Sequence, residues 1–229
     1  MRKIKLGFIL SNKPTYSETF LNLKFKNLKK IGYDVVFFSN NKKYYSTNDI
    51  KFSKFKLLDF ISSCFAFIML IFFSPCSMLK FLKLEKVDKR PLIKRWRNLF
   101  VNSRILIEKL DYLHFPFLTL THTRENIASA IGAKMSASMR GFDISIYPLK
   151  HPGCYNNLWI KIDKLHSISN SLLLEGIRHG LPKNINSHII NPSIDLKFFR
   201  NNLFKKSNIN NKKHKIHFLT VARLNWKKG

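Results

Sequence analysis

The chain is 229 residues long, room for one large domain or for one domain and a fragment of another. It is 45% apolar and 24% charged, with eight glycines and eight prolines, which excludes a wholly disordered or collagen-like chain. Its 41 Lys and Arg against 13 Asp and Glu leave a formal charge of +28. Such a field favours an anionic partner, whether nucleic acid, an acidic membrane surface or a phosphorylated substrate. Lys, Asn, Ile and Phe are enriched together, as an AT-rich genome would produce, so the charge by itself selects none of the three.

The first expected strand is the apolar run from Ile4 to Leu10, broken by Ser11-Asn12-Lys13-Pro14. The start MRKIKLGFIL is basic, but its apolar run is too short for a signal-peptide core. Thr15-Tyr16-Ser17-Glu18 has capping-box spacing. Leu21, Phe25, Leu28 and Ile31 then recur at helical spacing up to Gly32, where a C-terminal cap belongs. Residues 33–39 read as the next strand, nearly continuous in apolar residues as buried parallel strands are. Strand, helix and strand make a βαβ unit.

Residues 60–79 are twenty consecutive uncharged residues flanked by Lys54, Lys56, Lys80 and Lys83. Three readings are open: a helix lying in a membrane surface, a buried core helix, or a span. Ser62, Ser63 and Ser74 dilute the run and Pro75 disturbs it near one end. A single span would also put strands of one sheet on opposite sides of a bilayer. Lysines on both flanks suit anionic headgroups.

Beyond Pro91 the alternation resumes. Residues 92–110 read as helix, 112–115 as strand, 125–131 as helix and 134–139 as strand. Residues 156–164 follow as helix, 165–169 as strand, 172–179 as helix and 187–190 as strand. Residues 201–215 have the character of a polar, basic linker before a last strand at 216–221. The expected fold is α/β with a doubly wound parallel sheet, Rossmann-like. The first domain is expected over 1–200, with an apolar insertion at 55–82. The linker and then residues 216–229, the first strand and turn of a further domain, complete the chain.

Chemistry-bearing residues are expected where strands turn into helices, since α/β folds bind ligands at that edge. Ser17, Glu18 and Thr19 follow the first strand, and Arg140-Gly141-Phe142-Asp143 follows the strand at 134–139. Arg223 and Lys228 lie five apart after the last strand, a spacing with which two cations clamp a diphosphate. Each has a plain structural alternative: a helix cap, a surface ion pair, and chance in so basic a chain. His114 and His122 read equally as packing histidines. Neither G-x-G-x-x-G nor G-x-x-x-x-G-K-[ST] occurs, which argues against a dinucleotide-binding dehydrogenase and a P-loop enzyme. Cys64, Cys76 and Cys154 are an odd number without C-x-x-C spacing, so neither a disulfide framework nor a zinc site is expected and the chain reads as cytosolic.

Taken in order, SNKPTYSETF, LHF, SMRGFDI, SISNSLLLEGIRHGL, INPSIDLKFF and FLTVARLNWKKG resemble the family 4 glycosyltransferases of the GT-B fold, nearest to the colanic-acid and exopolysaccharide type. The resemblance covers nearly the whole chain except 40–109. It implies transfer of a sugar from a nucleotide-sugar to a polysaccharide or lipid-linked saccharide acceptor, with retention at the anomeric carbon and no metal or other cofactor. It assigns Arg223 and Lys228 to the donor diphosphate, Ser17, Glu18, Thr19 and His114 to the acceptor, and Arg140 and Asp143 to catalysis. It also implies work at the inner face of the plasma membrane, on an anionic membrane surface, with no nucleic acid as partner.

There are departures. Arg140 replaces the His of His-Gly-x-Asp, which makes its role electrostatic. Pro192-Ser193 precedes Asp195, Ala222 replaces a Gly before Arg223, and the family's E-x7-E segment would lie beyond Gly229. The chain alone is therefore expected to be inactive. Two other classes remain: a non-catalytic basic membrane-surface module, and a nucleic-acid binder that uses the Lys and Phe of KFSKFK and LKFFRNNLFKK.

Overall fold

In the computed structural model, residues 2–14, 18–39, 41–50 and 56–193 are described, with Leu196, Phe218 and Leu219. Lys5–Ile9 (β1) and Asp34–Ser39 (β2) flank the helix Thr19–Lys30 (α1) and pair in parallel, Lys5 with Asp34 through Ile9 with Phe38. Lys42–Tyr44 (β3) turns back antiparallel along β2, a strand the sequence reading does not contain. With Tyr112–Phe115 (β4), Lys134–Met139 (β5), Lys164–Ser167 (β6) and Ser187–Ile189 (β7) the sheet has seven strands in the order β3-β2-β1-β4-β5-β6-β7. Every neighbouring pair except β2 with β3 is parallel. The fold is α/β, a Rossmann-like doubly wound sheet. Its strand order reverses between β1 and β4, the switch point at whose carboxyl ends such sheets bind ligands.

Side chains alternate between the two faces. Phe8, Leu10, Val35 and Phe37 meet Leu21 and Phe25 of α1 on one face. The other face carries the larger core. Ile9, Val36, Leu113, Phe115, Met135 and Ala137 lie under Lys56–Phe73 (α2), Pro75–Val87 (α3), Leu92–Leu106 (α4) and Ile127–Ile131 (α5). Gly7 belongs to this crowded side: a Cβ there would sit 2.5 Å from Leu110 Cδ1. The remaining helices are Tyr147–Lys150 (α6), Asn156–Trp159 (α7) and Asn170–Arg178 (α8). The apolar cluster on the α1 face stops at β1 and β2. Along β4, β5 and β6 that face presents Tyr112, His114, Ser136, Lys164 and His166 to open pockets instead.

Several details differ from the sequence reading. Helix α1 begins at Thr19, so Glu18 is the N-cap residue and not the third position of a capping box, and its side chain makes no capping hydrogen bond. Thr15, Tyr16 and Ser17 lie outside the described residues. Ile31 lies past the helix end, 70% exposed, while Gly32 takes the expected left-handed conformation at φ +99°. The apolar stretch is two helices that meet at Ser74–Pro75 at 104°, and no single described helix is long and apolar enough to cross a membrane. Proline at the first position of α3 explains the break, because its ring clashes with a continuing turn while suiting a new helix start. Chain contacts group residues 1–194 and 195–229 as two units. In the second, only Leu196, Phe218 and Leu219 are described, so the linker lies outside the described residues, as does most of the strand expected at 216–221.

A buried ionic cluster ties the helices together. Glu85, fully buried on α3, accepts from Arg90 (2.8 and 3.1 Å), Asn98 (2.8 Å) and Asn126 (2.7 Å). Arg90 also reaches Glu125 at 2.8 Å, and Asp88 accepts from Asn126 and pairs with Lys161. Each carboxylate is matched by a cation or an amide, the condition under which buried charge is tolerated.

Candidate functional site

The carboxyl edge of β1, β4, β5 and β6 collects the predicted residues that are described. Arg140, the first residue after β5, is held from three sides. Its Nε donates to the Pro116 carbonyl at 3.3 Å, and its guanidinium lies 4.0 Å above the ring of Phe20 and 5.4 Å from that of Phe117. Burial lowers its pKa, against the field of Asp143 and Glu18, which raise it. Glu18 and Thr19 thus stand at the head of the helix whose first turn carries Phe20 beneath the guanidinium.

Asp143 does not face this opening. The chain winds into a π-helical turn, Phe142–Ile146, and the carboxylate points into the protein, 2% exposed. There it accepts from the Thr119 hydroxyl at 3.1 Å, with the backbone N–H groups of Leu118 and Thr119 beside it. Burial nevertheless pushes its pKa up to about 6. The sequence placed both side chains of Arg140-Gly141-Phe142-Asp143 at the ligand edge. The turn gives the edge to Arg140 and buries Asp143, which joins the turn after β5 to the one after β4.

His114 sits mid-strand on β4, and its ring is the hub of a polar row. Nδ1 is 2.8 Å from Ser136 Oγ, and Nε2 is 3.1 Å from both Ser138 Oγ and Lys24 Nζ. Ser138 Oγ in turn lies 2.9 Å from His166 Nδ1, and His166 Nε2 lies 2.8 Å from the Ile190 carbonyl. A carbonyl only accepts, so His166 carries its proton on Nε2, Nδ1 accepts, and the Ser138 hydroxyl proton is committed to it. Burial first, then the cations Lys24 and Arg140, hold His114 well below the usual imidazole range; His166 is lowered mainly by burial. Both rings are neutral at pH 7. Lys24 is the sharpest anomaly. Burial and the nearby Arg140 push its ammonium down to about 8, and no ion pair among the described residues includes it.

Lys24 and Leu28 line two adjoining cavities, each of about 350 Å³. One runs past Phe8, Tyr112, His114, Ser136 and Lys164, and the other past Arg140, His166, Ile190 and Asn191–Ser193. Apolar walls, hydroxyls, neutral imidazoles and unbalanced cations together suit an anionic, hydroxyl-rich ligand. Sequence reasoning missed Lys24, His166, Ser136 and Ser138. Lys24 is one lysine among many; the serines and His166 show only as polar residues on a strand face, and only the sheet order brings them to His114.

His122 is elsewhere. Its ring stacks on Tyr155, centroids 5.5 Å apart, in an aromatic cluster with Tyr147. Ser17, Arg223 and Lys228 lie outside the described residues. Among the described residues no group of three or more His, Cys, Asp or Glu is placed to hold a metal ion. No model of a known protein family matches the chain, and no curated protein matches it either.

Proposed function

We propose that the chain acts in sugar transfer and forms the acceptor side of a glycosyltransferase that moves a sugar from a nucleotide-sugar to a polysaccharide or lipid-linked saccharide acceptor. In that reaction the bond from the anomeric carbon to the nucleotide's diphosphate breaks and a new one forms to an acceptor hydroxyl, whose proton is lost. The observation that carries the reading is the crevice itself: Lys24 enters no ion pair among the described residues and lies, with Arg140, beside two neutral imidazoles and serine hydroxyls, along cavities on the α1 face of the sheet. A saccharide bearing phosphate offers both halves of what such a wall lacks, an anion for the cations and hydroxyls for the His and Ser row. The ordered motifs point the same way, with Arg140 acting by charge and Asp143 holding the turn behind it. Arg223 and Lys228 are assigned to the donor diphosphate by the resemblance alone.

The test is ligand-observed NMR on the purified chain with hexose 1-phosphates, neutral oligosaccharides and single-stranded oligonucleotides. Binding of the phosphorylated sugar, weaker binding of the neutral one and no site-specific oligonucleotide binding is the expected order. Oligonucleotide binding that competes the sugar off would favour a nucleic-acid partner, and no saccharide binding would remove the reading.

A further inference from the structure

The outer side of α2 presents a stripe of large apolar residues to solvent. Ile61, Phe65, Ile68 and Phe72 follow one another at helical spacing, and Phe60 and Phe73 widen the stripe; Phe72 is 76% exposed. The opposite side of the same helix is used up. Ala66 and Leu70 are buried, and Phe67 packs on Phe100 of α4 with ring centroids 5.6 Å apart. A helix apolar on both sides, packed on one and bare on the other, has a surface that water does not explain.

The charges on the segment that carries it and on the helices that follow say what covers it. Between residues 57 and 101 every exposed charged side chain is cationic: Lys80, Lys83, Lys86, Lys89, Lys94 and Arg97. The acidic residues of this stretch are withdrawn into pairs, Asp59 with Lys42, Glu85 with Arg90 and Asp88 with Lys161. A second copy of the chain would bring the same cations against them, within a formal charge of +28 on each. A nucleic acid would leave the phenylalanines wet. An anionic bilayer matches both halves, with acyl chains for the stripe and headgroups for the lysines.

Topology fixes how deep it goes. The strands before the elbow, β1 to β3, and those after it, β4 to β7, belong to one sheet, with β1 paired to both β2 and β4. The chain therefore leaves the sheet and returns on the same side, and the 104° bend at Ser74–Pro75 is where it turns. We infer that the α2–α3 elbow docks the domain on the surface of an anionic membrane, with the Ile61–Phe65–Ile68–Phe72 stripe lying in the headgroup boundary and not spanning it. The resemblance to membrane-surface glycosyltransferases leads to the same expectation, but neither Lys24 nor Arg140 takes part, so the two readings fail separately.

The test is co-sedimentation of the full chain with phosphatidylcholine vesicles and with vesicles containing about 30% phosphatidylglycerol. Partitioning into the anionic vesicles is expected to exceed that into the neutral ones about tenfold. It should fall about tenfold again in a Phe65→Ser, Ile68→Ser, Phe72→Ser triple variant. A separate Phe72→Trp variant should show a blue shift and quenching by brominated lipid, which reads insertion even if the triple variant folds poorly. No vesicle binding would overturn the inference. So would binding that the triple variant retains while the emission of the Phe72→Trp variant stays unshifted, which is plain electrostatic adsorption, or self-association in sedimentation velocity that the triple variant abolishes.

Discussion

Two of the places where this molecule buries charge do so in opposite ways. Around Glu85 each carboxylate has a cation or an amide, and α3, α4 and α5 are fastened by the match. Around Lys24 the cations outnumber their answers: the ammonium sits beside a guanidinium and a neutral imidazole, and its pKa falls to about 8. The first arrangement answers every carboxylate and leaves only the Asn126 Oδ1 without a partner among the described residues. The second costs stability in the free protein and is relieved by an anion, which is why the cluster at Glu85 reads as structure and the crevice as a site.

The comparison is sharpest in stability. Glu85→Ala takes the buried acceptor from Asn98 and leaves Arg90 with Glu125 alone, and is expected to lower unfolding free energy by about 3–5 kcal/mol in a denaturant titration. Lys24→Met should do the reverse of an ordinary core substitution, leaving stability unchanged or raised at pH 7, because it removes a buried cation and keeps its stem. The sign follows from linkage. Lys24 titrates at about 8 when folded and near 10.5 when unfolded, so between those values the unfolded chain binds more protons and stability rises with pH. That rise, on the order of 1–3 kcal/mol, should be absent from the Lys24→Met variant.

Asp143 gives a smaller effect of opposite slope. Its carboxyl titrates at about 6 when folded against an ordinary value of 3.8, so its protonated form favours the fold. Stability is then lost as pH rises from about 4 to 6, by on the order of 1–2 kcal/mol, and Asp143→Asn should flatten that segment. Gly7→Ala, which forces a methyl against Leu110, should cost about 1–3 kcal/mol by thermal melt and leave every one of these pH slopes in place.

Most of the fold is legible in the sequence, and the exceptions share a cause. The strands at 112–115 and 134–139 come out at their observed bounds, since buried parallel strands carry their signal in their own residues. Lys42–Tyr44 carries no such signal. It is a strand because Phe37 and Phe38 offer it an edge. Leu28 keeps to the expected helix face while the helix start moves to Thr19, as ends are set by turns and not by periodicity. The site divides in the same way. Arg140, Glu18 and His114 are visible from their positions after or within strands. Lys24 and Glu85 look alike on paper, each a single charge on a basic helix, and only packing shows that one is answered and the other is not.

The most direct measurement is the affinity of the full chain for a hexose 1-phosphate, by calorimetric titration, in the wild type, Lys24→Met and Arg140→Gln. If the crevice is an anionic-saccharide site, each variant loses about tenfold or more in affinity while remaining as stable as the wild type. Binding unchanged in both variants, or absent from the wild type, would contradict the assignment of the crevice as the acceptor site.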